Sequence, residues 1–213
     1  MTRVAVFLDY QNVYQGARGV FGWQHDSYTA GQIFPRRVGV LLTDRGRQVD
    51  PARQLVRVAA FRGEPSSVHS PKGQSACDRQ VRFWRAQAAV DVATRPLKYY
   101  PYHDEHGALR WAPREKGIDV HIALEMVMGA FRDQFDVAIL FSGDSDLIPA
   151  IEEVRRLGKR CEVAAWDGRA NRQRLSIPGG NVWCHWLTEA DYRLVEDSTD
   201  YTLPVAGTPP ANP

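Results

Sequence analysis

The chain has 213 residues, of which 44% are hydrophobic and 24% are charged, and its formal net charge is +2. This predicts one globular domain with a full core, and the small net charge argues against nucleic-acid binding through bulk charge alone. Three widely spaced cysteines without a CxxC pair argue against a disulfide framework or a structural zinc site and favour a reducing cytoplasm. We expect no signal peptide and no membrane span, because no apolar stretch approaches the roughly 20 residues that a span needs.

The first half of the chain alternates apolar runs with helical patterns. Residues 4–8 form a short apolar run typical of a central strand, and residues 13–30, rich in glycine and aromatic residues, are expected to be loop with some helix. The elements predicted after these are a helix at 33–42, a strand at 55–61, a loop at 62–75, an amphipathic helix at 77–89 and a strand at 90–97.

The second half opens with a polar, aromatic segment at 99–114, whose turn at 104–107 predicts a surface hairpin and a possible homodimer contact. The elements predicted after it are a helix at 118–131, a strand at 137–141, a helix at 147–157, a strand at 161–166, an edge strand at 182–187 and a short helix at 188–195. A disordered tail is expected at 198–213, which leaves a domain of residues 1–197. The alternation predicts an α/β fold with a mainly parallel sheet of five or six strands and helices on both faces.

Four carboxylates stand where such a sheet would bind a ligand. Asp9, Asp144 and Asp146 directly follow predicted strands, and Asp119 starts a predicted helix. They converge at the carboxyl ends of the strands if the first and fourth strands are neighbours. Two carboxylates about 4 Å apart repel by roughly 4 kcal/mol at an effective dielectric of about 20, and a divalent cation removes that repulsion. An all-oxygen site prefers Mg²⁺ or Mn²⁺ to zinc, and its usual chemistry is phosphodiester cleavage by a water whose pKa the metal lowers.

Each acid also has a simpler explanation. A lone aspartate at a strand end is commonly a turn former or a helix cap, and Asp146 suits the N-cap of the helix at 147–157. Asp9 is harder to explain in this way, because a buried apolar run precedes it and two amides follow. Taken together the acids favour a functional site, with Asp144 as a direct metal ligand and Asp146 acting through water.

Three segments carry a resemblance to a known family. VFLDYQNVY at 6–14 resembles the opening motif of NYN domains, the LabA-like branch of the PIN-like nuclease superfamily. EKGIDV at 115–120 resembles the family's segment before its central helix, and SGDSDL at 142–147 resembles its third motif. The order and spacing are those of the family, and the resemblance runs from about residue 3 to 195. It implies a Rossmann-like three-layer sheet and a metal-dependent ribonuclease site.

The resemblance also assigns roles to residues. It implies that the metal-binding, catalytic acids are Asp9, Asp119, Asp144 and Asp146. Asn12 would orient a carboxylate or touch a phosphate, and Ser142 would support the site. Glu125 stands six residues after Asp119, where the family often has an aspartate. A glutamate there can reach a metal, or it can simply face solvent or form a salt bridge.

Nucleic-acid contacts must come from basic residues on loops and helix ends near these acids, and we expect single-stranded RNA as the partner. The candidates are Arg62, Lys72, Arg79, Lys116, Arg169, Arg172 and Arg174. Three arginines at 169–174 suggest phosphate binding, although scattered arginines often serve solubility alone.

Two other functions compete with a nuclease. A haloacid-dehalogenase-type phosphatase would need a second aspartate two residues after Asp9, where this chain has Gln11. A catalytically weak or inactive PIN-like module could keep the fold and bind RNA or a protein partner.

Overall fold

A parallel sheet of six strands lies at the centre of the molecule. The structure is a computed structural model that describes residues 1–168, 174, 175, 177 and 182–203. The strands are β1 (Thr2–Asp9), β2 (Arg53–Glu64), β3 (Val90–Pro96), β4 (Lys98–His103), β5 (Leu109–Arg114), β6 (Val137–Phe141), β7 (Arg160–Trp166) and β8 (Cys184–Leu187). The helices are α1 (Tyr10–Phe21), α2 (Pro35–Arg47), α3 (Pro71–Arg85), α4 (Ile118–Phe131), α5 (Ile148–Arg156) and α6 (Glu189–Val195), and a 3₁₀ turn at Ser145–Leu147 precedes α5.

The strand order is β3-β2-β1-β6-β7-β8, and neighbouring strands are parallel throughout. β1 is central, with β2 on one side and β6 on the other, so the chain reverses its direction of strand addition at β1. This is the switch point where open α/β sheets form a crevice. The predicted α/β fold with a mainly parallel sheet is confirmed.

Both faces of the sheet are covered, which explains the unbroken apolar runs of the central strands. Val4, Val6 and Leu8 point into a core shared with α1, α2, α3 and α6. Ala5 and Phe7 point into a second core shared with α4 and α5. Within the part of the chain that the structure describes, no helix is long and apolar enough to cross a membrane.

Three ionisable side chains are buried together on the sheet. The Arg53 guanidinium donates to both Glu162 carboxylate oxygens at 2.9 and 2.6 Å, and His185 Nε2 lies 2.8 Å from Glu162 Oε2. All three residues are 1–2% exposed. Burial alone would raise the pKa of Glu162, but the hydrogen bonds from His185 and Arg53 outweigh it and hold that pKa below its ordinary value. Glu162 therefore stays ionised inside the protein.

The segment at 13–30, expected to be loop with some helix, is loop only from residue 22 and holds more helix than expected, because α1 covers residues 10–21. Its glycines disfavour a helix, but Val13, Ala17 and Val20 pack against the sheet and that burial outweighs the propensity.

The predicted disordered tail at 198–213 starts too early. Tyr201 is 3% exposed, and its carbonyl accepts a hydrogen bond from Arg79, so residues 198–203 lie against the domain. Residues 204–213 lie outside the described residues.

The close packing of α2 on β2 depends on a glycine. A Cβ at Gly39 would collide with Val58 and press on Leu55, whereas a Cβ at Gly19 in α1 would meet nothing within 4 Å. We expect Gly39→Ala to lower the free energy of unfolding by about 1–3 kcal/mol through overpacking. Gly19→Ala, the matched control, should raise it by about 0.5–1 kcal/mol. Urea denaturation of both variants measures the contrast, and equal effects at the two positions would contradict it.

Candidate functional site

The carboxyl ends of β1 and β6 bring the first and third motifs together. Leu8 lies opposite Phe141 in the sheet, so the residues that follow, Asp9 on one strand and Ser142 on the other, meet at the same edge. Asp119 joins them from the first turn of α4. The convergence expected from the sequence thus arises from the pairing of β1 with β6.

Asp9 is held on both carboxylate oxygens. Oδ1 accepts a hydrogen bond from the backbone N–H of Asn12 at 3.2 Å, and Oδ2 accepts one from the Ser142 hydroxyl at 3.0 Å. The first bond makes Asp9 the N-cap of α1, and only 4% of the residue is exposed. Asp9 therefore has a structural role as well as a place in the site.

The loop after β6 is fixed by short-range hydrogen bonds. The Asn12 side-chain oxygen accepts from the Gly143 N–H at 2.8 Å, and the Ser142 hydroxyl accepts from the Asp144 N–H at 3.1 Å. Asp144 Oδ1 accepts from the Asp146 N–H at 2.9 Å, so Asp144 caps the 3₁₀ turn. The prediction that Asp146 is the helix cap is wrong. Asp146 is exposed, and the N-cap position of α5 is Leu147, which makes no side-chain capping bond.

The acids at this edge influence one another. Burial raises the pKa of Asp9 to about 6, and the nearby charges of Glu115 and Asp119 add to the increase, while the hydrogen bonds from Asn12 and Ser142 oppose it. The pKa of Asp119 is raised first by burial and then by Asp144 and Asp146. We call these five residues (Asp9, Glu115, Asp119, Asp144 and Asp146) the acidic cluster.

Glu115 was not predicted as a site residue. Its carboxylate accepts a hydrogen bond from the Gly63 N–H at 2.6 Å, at the end of β2. Burial and the charge of Asp119 raise its pKa. Gly117, with φ +76°, then turns the chain into α4. The one sequence signal for Glu115 was its position at the start of the segment EKGIDV.

Glu125 is not part of the cluster. Its carboxylate forms a salt bridge with Arg57 at 2.9 Å. Arg57 lies opposite Ala5 in β1, four residues before Asp9, which is about 13 Å along the strand. Glu125 therefore lies away from the carboxyl edge, and its assignment to the metal is corrected to a salt bridge.

The predicted basic contacts divide into three groups. Arg62 donates to the Gln80 side chain, Arg79 to the Tyr201 carbonyl and Arg174 to the Val182 carbonyl, so all three have contacts within the protein. Lys72 in the first turn of α3 and Lys116 beside the acidic cluster are exposed. Arg169 and Arg172 lie outside the described residues.

The donor chemistry of the cluster fits a hard divalent cation, because every donor is a carboxylate oxygen. The raised pKa values of Asp9, Glu115 and Asp119 also indicate crowded negative charge that a cation would relieve. In the arrangement described, however, no group of three or more His, Cys, Asp or Glu side chains among the described residues is placed to hold a metal ion. The residue types fit a metal, and their side chains are not gathered around one point.

Comparison with known proteins decides the family. The family model of the NYN domain matches residues 3–176. The chain belongs to the NYN domain family. NYN domains are part of the PIN-like nuclease superfamily, so family membership favours nuclease chemistry and a divalent metal.

One curated relative matches this NYN domain along nearly its whole length. It is the low amplitude and bright protein LabA of Synechococcus elongatus, which is 27% identical over 208 residues, 98% of this chain and 95% of LabA. A crystal structure of a protein of unknown function from Vibrio parahaemolyticus aligns at 22% identity and a TM-score of 0.47, covering 76% of this chain and 80% of that one.

Proposed function

We propose that this NYN domain is a Mg²⁺- or Mn²⁺-dependent phosphodiesterase that hydrolyses RNA, preferably single-stranded. The observation that supports it most is the acidic cluster at the switch point between β1 and β6, where buried Asp9 has a pKa raised to about 6. Three unpaired, buried cysteines are compatible with a reducing cytoplasm, where we place the activity.

In this proposal the chain positions the reactants. The cation would be held by Asp9, Asp119, Asp144 and Asp146, and when bound it would supply a water of lowered pKa and a counter-charge for the leaving oxygen. Ser142 fixes the orientation of Asp9 through its hydroxyl, and Asn12 ties the Gly143 backbone to α1. Water is the nucleophile, so no covalent intermediate with the enzyme is needed.

Cleavage of labelled single-stranded RNA tests the proposal. We expect cleavage with Mn²⁺ or Mg²⁺ that EDTA stops, and a loss of at least about a hundredfold in Asp144→Asn. Asp44→Asn, which removes an exposed carboxylate paired with Arg47 on α2, is the matched control and should cleave normally. Mn²⁺ should also raise the melting temperature of the wild type more than that of Asp144→Asn, which reports metal binding without catalysis.

A catalytically inactive RNA- or protein-binding module is the second candidate. It is favoured by the absence, among the described residues, of three acids placed to hold one metal, and by the hydrogen bonds that engage both Asp9 oxygens. RNA binding without cleavage under either metal would support this candidate and contradict the first. The phosphatase alternative has no support from the family match.

A further inference from the structure

The β4–β5 hairpin has two faces of different chemistry. Residues directly opposite each other in an antiparallel pair share a face, and alternate residues change face. The register pairs Lys98 with Arg114, Tyr100 with Ala112 and Tyr102 with Arg110. These six side chains therefore form one face of the hairpin, which we call the outer face.

The opposite face, which we call the inner face, contacts the protein itself near the base of the hairpin. The His69 ring stacks on Tyr99 at 4.4 Å between centroids and lies 4.8 Å from the Trp111 ring. The Ser66 N–H donates a hydrogen bond to the Tyr99 hydroxyl at 3.1 Å. Contacts of Tyr99 and Trp111 thus fix the inner face against the segment after β2, although Trp111 is still 45% exposed, and the outer face is directed away from that segment.

The outer face combines exposed rings with positive charge. Tyr100 is 42% exposed and Tyr102 is 48% exposed, and the Arg114 guanidinium lies 5.5 Å from the Tyr100 ring centroid. None of the six residues of this face is acidic, and among the described residues Arg110 is the one of its three cations that is paired with an acid, Asp104 in the turn. Single-stranded nucleic acids bind to surfaces of this kind, because their bases stack on exposed aromatic rings and their phosphates contact the cations.

The position of the hairpin links this surface to the acidic cluster. The Leu97 N–H bonds to the Glu64 carbonyl at the end of β2, and Glu115 directly follows β5 and bonds to Gly63. The base of the hairpin is therefore anchored at the carboxyl edge of the sheet. A nucleic-acid strand that binds along the outer face would therefore extend toward the edge of the sheet where Asp119 begins α4.

We propose that the outer face of the hairpin is a binding platform for single-stranded RNA, with Tyr100 and Tyr102 stacking on successive bases and Lys98, Arg110 and Arg114 contacting phosphates. The choice of RNA rests on the proposed function. Tyr100 and Tyr102 are two residues apart, about 7 Å along the strand, so each can meet a separate base. A second copy of the chain is a poor occupant, because in a twofold contact three cations would face three cations.

Fluorescence anisotropy with a labelled single-stranded RNA in EDTA tests the platform without any cleavage. Replacing both rings, in Tyr100→Leu/Tyr102→Leu, should weaken binding by about tenfold or more and leave its salt dependence unchanged. Replacing two cations, in Lys98→Ala/Arg114→Ala, should reduce the slope of log affinity against log salt by about 0.7 for each cation. Phe131→Leu and Arg132→Ala, an exposed ring and an exposed cation at the far end of α4, are the matched controls and should bind as the wild type does.

The outcomes separate this inference from the proposed nuclease. Wild-type affinity in both hairpin variants overturns the platform, whether or not the wild type cleaves RNA. Loss of self-association in those variants, measured by sedimentation, with RNA affinity unchanged also overturns it and assigns the face to a dimer. Weakened binding in the hairpin variants supports the platform even if no metal yields cleavage, in which case only the nuclease proposal fails.

Discussion

Glu162→Ala is expected to lower the free energy of unfolding by about 3–5 kcal/mol, a large part of the total of about 5–15 kcal/mol for a typical domain. The substitution removes the partner shared by Arg53 and His185, both 1–2% exposed, and leaves the Arg53 guanidinium in the interior with its Nε 3.9 Å from Asp50 Oδ2, beyond hydrogen-bond distance. Arg53 Nε and His185 Nδ1 already lack a hydrogen-bond partner among the described residues, so the substitution would add to the unsatisfied buried nitrogens of these two side chains. Urea denaturation at pH 7 measures the loss.

Two comparisons make that result specific. Glu153→Ala breaks a salt bridge with Arg156 of similar geometry, at 2.6 Å, but those side chains are 36% and 70% exposed, so the expected change is within about 1 kcal/mol. Replacing all of Arg53, Glu162 and His185 with apolar residues of similar size should cost far less than Glu162→Ala, because no charge is left unpaired. A change below about 1 kcal/mol in Glu162→Ala would contradict the interpretation.

Acid should also weaken this buried cluster. The pKa of Glu162 is lower in the folded protein than its ordinary value of 4.5. The stabilisation that the Glu162 carboxylate gives to the folded state is therefore fully present above pH 4.5. The contribution is then lost as the pH falls from 4.5 through the folded-state pKa.

Asp9→Asn is expected to have opposite effects on stability and activity. The pKa of Asp9 is about 6 in the folded protein and 3.8 ordinarily, so the folded state holds its proton more tightly than the unfolded state does. A shift of about two units corresponds to about 3 kcal/mol of destabilisation once the carboxylate ionises. The neutral amide avoids this cost, so Asp9→Asn should raise the free energy of unfolding at pH 8 by up to about 3 kcal/mol. On the proposed function it should also reduce RNA cleavage by at least about a hundredfold.

The pH dependence of this effect has a defined sign. A raised carboxyl pKa destabilises the fold increasingly as the pH rises from about 4 to about 6, and the full penalty is present above that range. The increase in the free energy of unfolding of Asp9→Asn over the wild type should therefore be near zero at pH 4 and reach its maximum by pH 7. Urea denaturation across this range measures it.

Asp136→Asn is the matched control with the opposite sign. Hydrogen bonds from Arg3 lower the pKa of Asp136 to about 2, so its carboxylate stabilises the fold at neutral pH. The amide should lower stability at pH 7 and have less effect as the pH approaches 2. If the free energy of unfolding at pH 7 changed in the same direction in both variants, the argument for Asp9 would be contradicted.

Most of the architecture could be predicted from apolar periodicity, because buried parallel strands and amphipathic helices leave strong patterns. The strand β6 at Val137–Phe141 follows that pattern in the structure, and the hairpin at 99–114, predicted from its turn, pairs as expected. The full extent of α1 could not be predicted, since its glycines lower the local helix propensity and its stability comes from packing on strands far away in sequence.

The site residues differ in how much the sequence reveals. Asp9 and Asp144 follow strands, and the sheet alone brings such positions together. Glu115 reaches the cluster through a contact with Gly63 that is 52 positions distant, which no local pattern encodes. Glu125 could have been excluded, because six residues of helix rotate it about 120° away from Asp119 and move it about 9 Å along the axis.

The central position of β1 has a consequence for how the protein is made. Asp9 and Ser142, which bond across the pair of β1 and β6, are 133 positions apart in the sequence. A ribosome adding about 5–20 residues per second needs on the order of ten seconds to synthesise that distance. Throughout this interval the apolar strand β1 has one edge without its partner, open to pairing with other chains. In a chain truncated before β6 this edge of β1 never gains its partner, so we expect the truncated protein to aggregate.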